Sequence, residues 1–149
     1  MAKKHSLILQ TALTVALCSM VTPSQAEDTR KAIWLSAVER EVLLIEMRNF
    51  LRGSQEVLEN SVKEDMALVN RTAKPLGTKM LKNLPKEMTD KMPAGFYAML
   101  KTLHYGFAEI ADISKSPKAE PKIVLQKLAN MQKLCVGCHA TYQLKVKEP

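Results

Sequence analysis

Cys135, Cys138 and His139 stand in the spacing C-x-x-C-H, which suits two thiols adding across the vinyl groups of a haem while the next residue ligates its iron. On a helix, positions i, i+3 and i+4 share one face, so both sulfurs and the imidazole meet one flat cofactor. A bare C-x-x-C is shared with thioredoxin-like redox pairs and half zinc sites. Here no second cysteine pair and no nearby second histidine supports either. The spacing predicts one covalent haem c per chain, attached at Cys135 and Cys138, with His139 as the iron's fifth ligand. A haem-free disulfide or metal site at the same cysteines is the rival reading.

The other end of the chain predicts the compartment. Lys3, Lys4 and His5 precede an apolar stretch from Leu7 to Val21, and Pro23-Ser24-Gln25-Ala26 closes it with small residues suited to cleavage after Ala26. That pattern is a secretory signal peptide over 1–26, which implies export to the periplasm. The stretch is broken by Gln10 and two threonines and is short for a spanning helix of about 20 residues. An uncleaved membrane anchor is the competing reading. Cys18 lies inside the leader and Leu17 before it is too large for a lipoprotein-type site, so the mature chain keeps only Cys135 and Cys138.

Residues 27–149 suffice for one compact domain and not two. The leader takes two of the 22 basic residues and none of the 15 acidic ones, which leaves a formal charge of +5. Such a surplus favours encounter with an acidic redox partner. Nucleic-acid binding is not expected, because the lysines are scattered and aromatics do not interleave with them. No stable membrane span is expected once the leader is removed.

Four stretches carry a helical period and none alternates with period two, so the expected fold is all-α with no strand. Ser36-Ala37-Val38-Glu39 forms a capping box that opens the first helix, whose inward stripe is Leu43, Met47, Phe50, Ser54, Val57 and Ser61. Lys63-Glu64-Asp65 makes the turn. A second stripe, Met66, Val69, Ala73, Leu76 and Met80, is interrupted by Pro75, which kinks or breaks that helix. Lys82 to Met92 is expected as loop. Pro93 opens a third helix with Phe96, Met99 or Leu100, Leu103, Phe107 and Ile110 inward. Pro121 opens a fourth, on which Val124, Leu128, Met131, Cys135, Cys138 and Tyr142 share the apolar face. Short connections favour an antiparallel four-helix bundle holding the cofactor on its last helix.

An exported chain of this size with C-x-x-C-H on a fourth helix resembles the cytochrome c′ family, and in particular its low-spin, methionine-ligated branch. The resemblance rests on Glu46-Met47-Arg48, Asp65-Met66, the stretch Pro93 to Phe107, and the terminal Cys135-Val136-Gly137-Cys138-His139-Ala140-Thr141-Tyr142. It implies a haem-carrying bundle with the distal residue on helix one at about Met47, and it leaves a homodimer through the first two helices open. Relatives commonly carry Arg after the terminal aromatic; this chain has Gln143, with Lys145 two residues on.

What faces His139 across the iron decides function. An imidazole–thioether pair stabilises ferrous iron and leaves no open position, which suits electron transfer. Met47 is the candidate sixth ligand, with core packing as its alternative role. His104, beside the stripe of helix three, is the rival ligand. Arg40, two turns before Met47 on the same side, is the candidate propionate contact, ahead of Arg48. Trp34 is expected to cover one end of the bundle and Tyr142 to pack on the proximal side. The leading expectation is an exported electron carrier that transforms no substrate. The alternative is a five-coordinate, cytochrome c′-like protein that binds NO or CO. An enzyme such as a peroxidase lacks a clear distal acid–base pair.

Overall fold

The computed structural model describes residues 27–116 and 118–147; the expected leader, 1–26, lies outside them. The described chain is mostly helical. Its elements run β1 (Lys31–Leu35), α1 (Ala37–Val62), α2 (Met66–Leu76), two single turns α3 (Lys79–Lys82) and α4 (Lys86–Thr89), α5 (Ala94–Ile113), α6 (Pro121–Thr141) and β2 (Tyr142–Val146).

Each long helix begins and ends where the local chemistry asks. At the start of α1, Ser36 Oγ accepts from the Glu39 amide at 3.2 Å and the Glu39 carboxylate accepts from the Ser36 amide at 2.8 Å. Such a cap stabilises a helix by about 1 kcal/mol. Glu64, at φ 59°, reverses the chain after α1, and Asp65 then caps α2 by accepting from the Leu68 amide. Pro75 is the penultimate residue of α2, which stops one residue later, as a residue without an N–H to donate requires. Pro93 directly precedes α5, whereas Pro121 is the first residue of α6. Lys82 to Met92, expected as loop, contains part of α3 and all of α4, and buries Met88 and Met92.

The core lies where α1, α2, α5 and α6 meet. Phe50 of α1 stacks on Phe107 of α5, ring centres 5.5 Å apart and nearly parallel, with Leu43, Val57, Val69, Ile110 and Val124 sealed around them. α2 packs on α1 and α5, and α6 packs on α1 and α5 from the other side, so α2 and α6 sit diagonally. Two glycines set close approaches. A Cβ at Gly53 would collide with Leu76 of α2, and one at Gly106 would meet Met131 of α6 with Sδ at 2.5 Å.

The buried face of α1 is Leu43, Glu46, Phe50, Gly53, Val57 and Ser61. The expected stripe therefore corrects at two positions. Met47 and Ser54 are half-buried on the flank of that face, while Glu46 and Gly53 occupy its centre. Apolar counting favours Met over Glu, but helical geometry places residue 46 between 43 and 50.

The expectation of no strand is also corrected. β1 and β2 pair in parallel, with Lys31 opposite Tyr142 and Leu35 opposite Val146. Ile33 and Leu35 point inward and are buried, while Trp34 points outward and is 55% exposed. Trp34, expected to cover one end of the helices, is thus turned to solvent, and its two neighbours enter the core. Five residues are too few for a period-two signal, and the pairing joins opposite ends of the chain. For the same reason the α6 stripe ends at Thr141, and Tyr142 belongs to β2.

Candidate functional site

α1, α5 and α6 enclose one open apolar cavity of about 520 Å³, within the size range of cofactor and small-molecule sites. Cys135, Cys138 and His139 from the last turns of α6 line one wall. Met47 and Phe50 of α1 line another, and Phe96, Leu100 and Leu103 of α5 complete the interior. The rotation that takes Met47 off the central face of α1 is what turns it toward this cavity. Leu51 and Val136 also line it and are 74% and 71% exposed, so the protein alone leaves a good deal of apolar surface uncovered here.

The two cysteines are free thiols, half-buried on the α6 face. Burial pushes both above the ordinary thiol value, and the neighbouring Cys135 raises Cys138 further. Thiol-exchange cysteines have the opposite shift. Cys135 Sγ lies 4.0 Å from the Met131 carbonyl, a weak local contact. His139 is exposed at the cavity wall. Among the described residues no group of three or more His, Cys, Asp or Glu side chains converges as a cage for a bare metal ion. The donor set and the apolar walls instead fit a large flat cofactor carrying its own metal.

The backbone behind His139 is held from the N-terminal segment. Arg30 forms a two-point ion pair with Asp28 through Nε and Nη2 and donates from Nη1 to the His139 carbonyl at 3.1 Å. A cation at a helix C-terminus also complements the helix dipole. Gln143, one residue into β2, donates from Nε2 to the carbonyls of Arg30 and Asp28 at 2.8 and 3.2 Å. Tyr142 packs edge-on against Phe96, ring centres 5.5 Å apart.

The remaining candidates separate. Arg48 lines the cavity, paired with Glu41 at 2.9 Å. Arg40, half-buried in the first turn of α1, is not among the lining residues. His104 is fully buried and does not line the cavity. Its Nδ1–H donates to the Leu76 carbonyl at 2.8 Å and its Nε2 faces Glu46 at 3.0 Å. With both nitrogens engaged away from the cavity, His104 is a link between α5, α2 and α1. The signal for Glu46 as its partner was a carboxylate at the centre of an otherwise apolar helix face. Arg30 and β1 left no comparable signal.

No protein-family model, no curated protein and no solved structure matches this chain. No helix among the described residues is long and apolar enough to cross a membrane.

Proposed function

We propose that the protein is an exported, mono-haem c-type cytochrome that carries electrons: an antiparallel four-helix bundle with haem c bound covalently to its last helix. One observation supports this above the rest. Cys135, Cys138 and His139 share an apolar cavity with Met47, which approaches from a different helix. Bound haem would supply an iron that takes up and releases one electron without transforming a substrate.

The chain's own residues supply attachment, ligation and exclusion of water. Cys135 and Cys138 would hold the haem through two thioether links, each S–H adding across a vinyl group, an addition that needs no external oxidant or reductant. Both thiols would have to reach the haem reduced, and a disulfide between Cys135 and Cys138 would block attachment. His139 would ligate the iron through a ring nitrogen, and Met47 would offer its thioether as the second protein ligand. Phe50, Phe96, Leu100 and Leu103 keep the surroundings apolar, which raises the potential of the pair further. Arg48 is placed at the cavity wall to meet a propionate, a role for which Arg40 is the other candidate.

The test is an optical spectrum of protein matured in a haem-attaching periplasm, ferric and ferrous, with and without CO. Sharp split ferrous bands, a weak far-red ferric band and slow or absent CO binding are expected. Broad high-spin bands with ready CO binding would instead make gas binding at an open iron the function. A pyridine haemochrome without thioether-linked haem would remove both readings.

A further inference from the structure

Two stretches of the chain hold five basic residues and no acid: 66–86 and 121–147. In the second the lysines are strung along α6 and β2, and Lys127 is paired with Glu109. In the first they converge. Arg71, Lys74 and Lys79 line one groove with Ala67, Asn70 and Pro75, and Lys82 follows in the last turn of α3. All four cations are exposed. Among the described residues none of them has a carboxylate within ion-pair distance, whereas Arg30, Arg48, Arg52, Lys63, Lys86, Lys91, Lys115 and Lys127 each do.

Uncompensated like charges in one place repel, so a cluster of this kind opposes folding slightly and gains only when something anionic meets it. We infer that the groove between α2 and α3 is the docking surface for a partner protein bearing a carboxylate-rich patch. A lipid surface fits less well. Peripheral membrane faces combine cations with apolar anchors, and no large apolar residue between 66 and 86 is among the exposed ones. Charge without an apolar anchor gives fast, salt-sensitive, short-lived association, which suits a carrier that must leave after each exchange.

α2 lies diagonally across from α6, which carries Cys135, Cys138 and His139. Yet the groove is connected to the cavity. Leu76, next to the groove's Pro75, accepts the His104 N–H at 2.8 Å; the His104 ring sits edge-on to Phe50 at 4.9 Å; and Phe50 lines the cavity. The inference deepens the electron-carrier reading by placing its partner.

The test titrates the full haem-loaded protein with poly-L-glutamate as the acidic probe and with phosphatidylglycerol vesicles in parallel. Amide shifts expected for poly-L-glutamate cluster on 66–82 and collapse with added salt. Lys74→Glu/Lys79→Glu weakens binding about tenfold, and the neutral Lys74→Gln/Lys79→Gln falls between. The control, Lys118→Glu/Lys122→Glu, changes net charge equally on another face and stays within about twofold. An equal loss in the control, or poly-L-glutamate binding that ignores both pairs, overturns the inference. Vesicle binding that depends on Lys74 and Lys79 without poly-L-glutamate binding also overturns it, in favour of a lipid surface. The haem spectrum of the same samples reports on the carrier reading separately, so the two failures are distinguishable.

Discussion

Nε2 of His104 lies 3.0 Å from Oε1 of Glu46, with both side chains sealed from solvent. Nδ1 of the same ring faces the Leu76 carbonyl, which can only accept, so Nδ1 carries a proton. The second nitrogen and the carboxylate face only each other. Neither is aligned for a regular hydrogen bond, so their mutual attraction is what offsets desolvation. One contact thus ties α5 to α1, and the other ties α5 to the end of α2.

Removing one partner should expose that dependence. His104→Leu leaves a carboxylate buried alone and is expected to cost about 3–5 kcal/mol. Glu46→Leu keeps the Leu76 bond and should cost less, about 1–3 kcal/mol. The double variant should recover part of the sum. Urea unfolding of the haem-loaded variants measures all three, and strictly additive losses would show that the two residues do not act as a pair.

Met47→Ala is expected to convert a six-coordinate spectrum to a five-coordinate one and to speed CO binding. Met47 is only half-buried, so the accompanying loss of stability should be small, about 1 kcal/mol. A large stability loss with an unchanged spectrum would make Met47 packing and not a ligand.

Acid should reveal the tie between α1 and the segment before α5. Lys91 Nζ meets both oxygens of Glu39, at 2.6 and 2.8 Å. That ammonium and the Ser36 amide hold the Glu39 carboxyl down to about 2 from its ordinary 4.5. A lowered folded-state value means a contribution that is present above 4.5 and is lost as pH falls toward 2. The thermal midpoint of Glu39→Gln should therefore lie below that of the parent near neutral pH, with the gap closing by about pH 2. A gap independent of pH would place the effect in packing and not in charge.

β1 offers a fourth check. Ile33 is buried to 1% exposure, and Ile33→Ala should cost about 2–4 kcal/mol. If the strand holds the end of α6, amide exchange should speed up at residues 139–146 more than in α2. Uniform acceleration across the chain would mean that β1 contributes only to global stability.

How much of this was legible in the residues depends on range. The Ser36 cap, the turn at Lys63–Asp65, the break at Pro75 and the start at Pro121 are local chemistry, and the sequence alone places each of them within a residue or so. The inward faces of α5 and α6 follow from a long clean period, and with them the placement of Cys135 and Cys138. α1 misled at Glu46 because a charged residue is ordinarily exposed, and its compensation, His104, is remote in sequence. β1 was illegible because five residues carry little pattern and its partner lies at the far end of the chain. Arg40 and Arg48 differ in the direction each side chain faces, and eight residues of spacing do not resolve that.

The parallel pairing of β1 with β2 has a temporal side. Tyr142–Val146 is synthesised after every helix described above, and its partner is the strand that precedes them all. Until the ribosome has released residues 139–146, β1 has no strand to pair with and Arg30 has no carbonyl at residue 139 to meet. Closure of this clasp is therefore a late, long-range event, of the kind that loop entropy makes slow. While it is open, Cys135 and Cys138 sit on a helix whose end is untied, and a haem attached there, as proposed above, would be loaded in that interval.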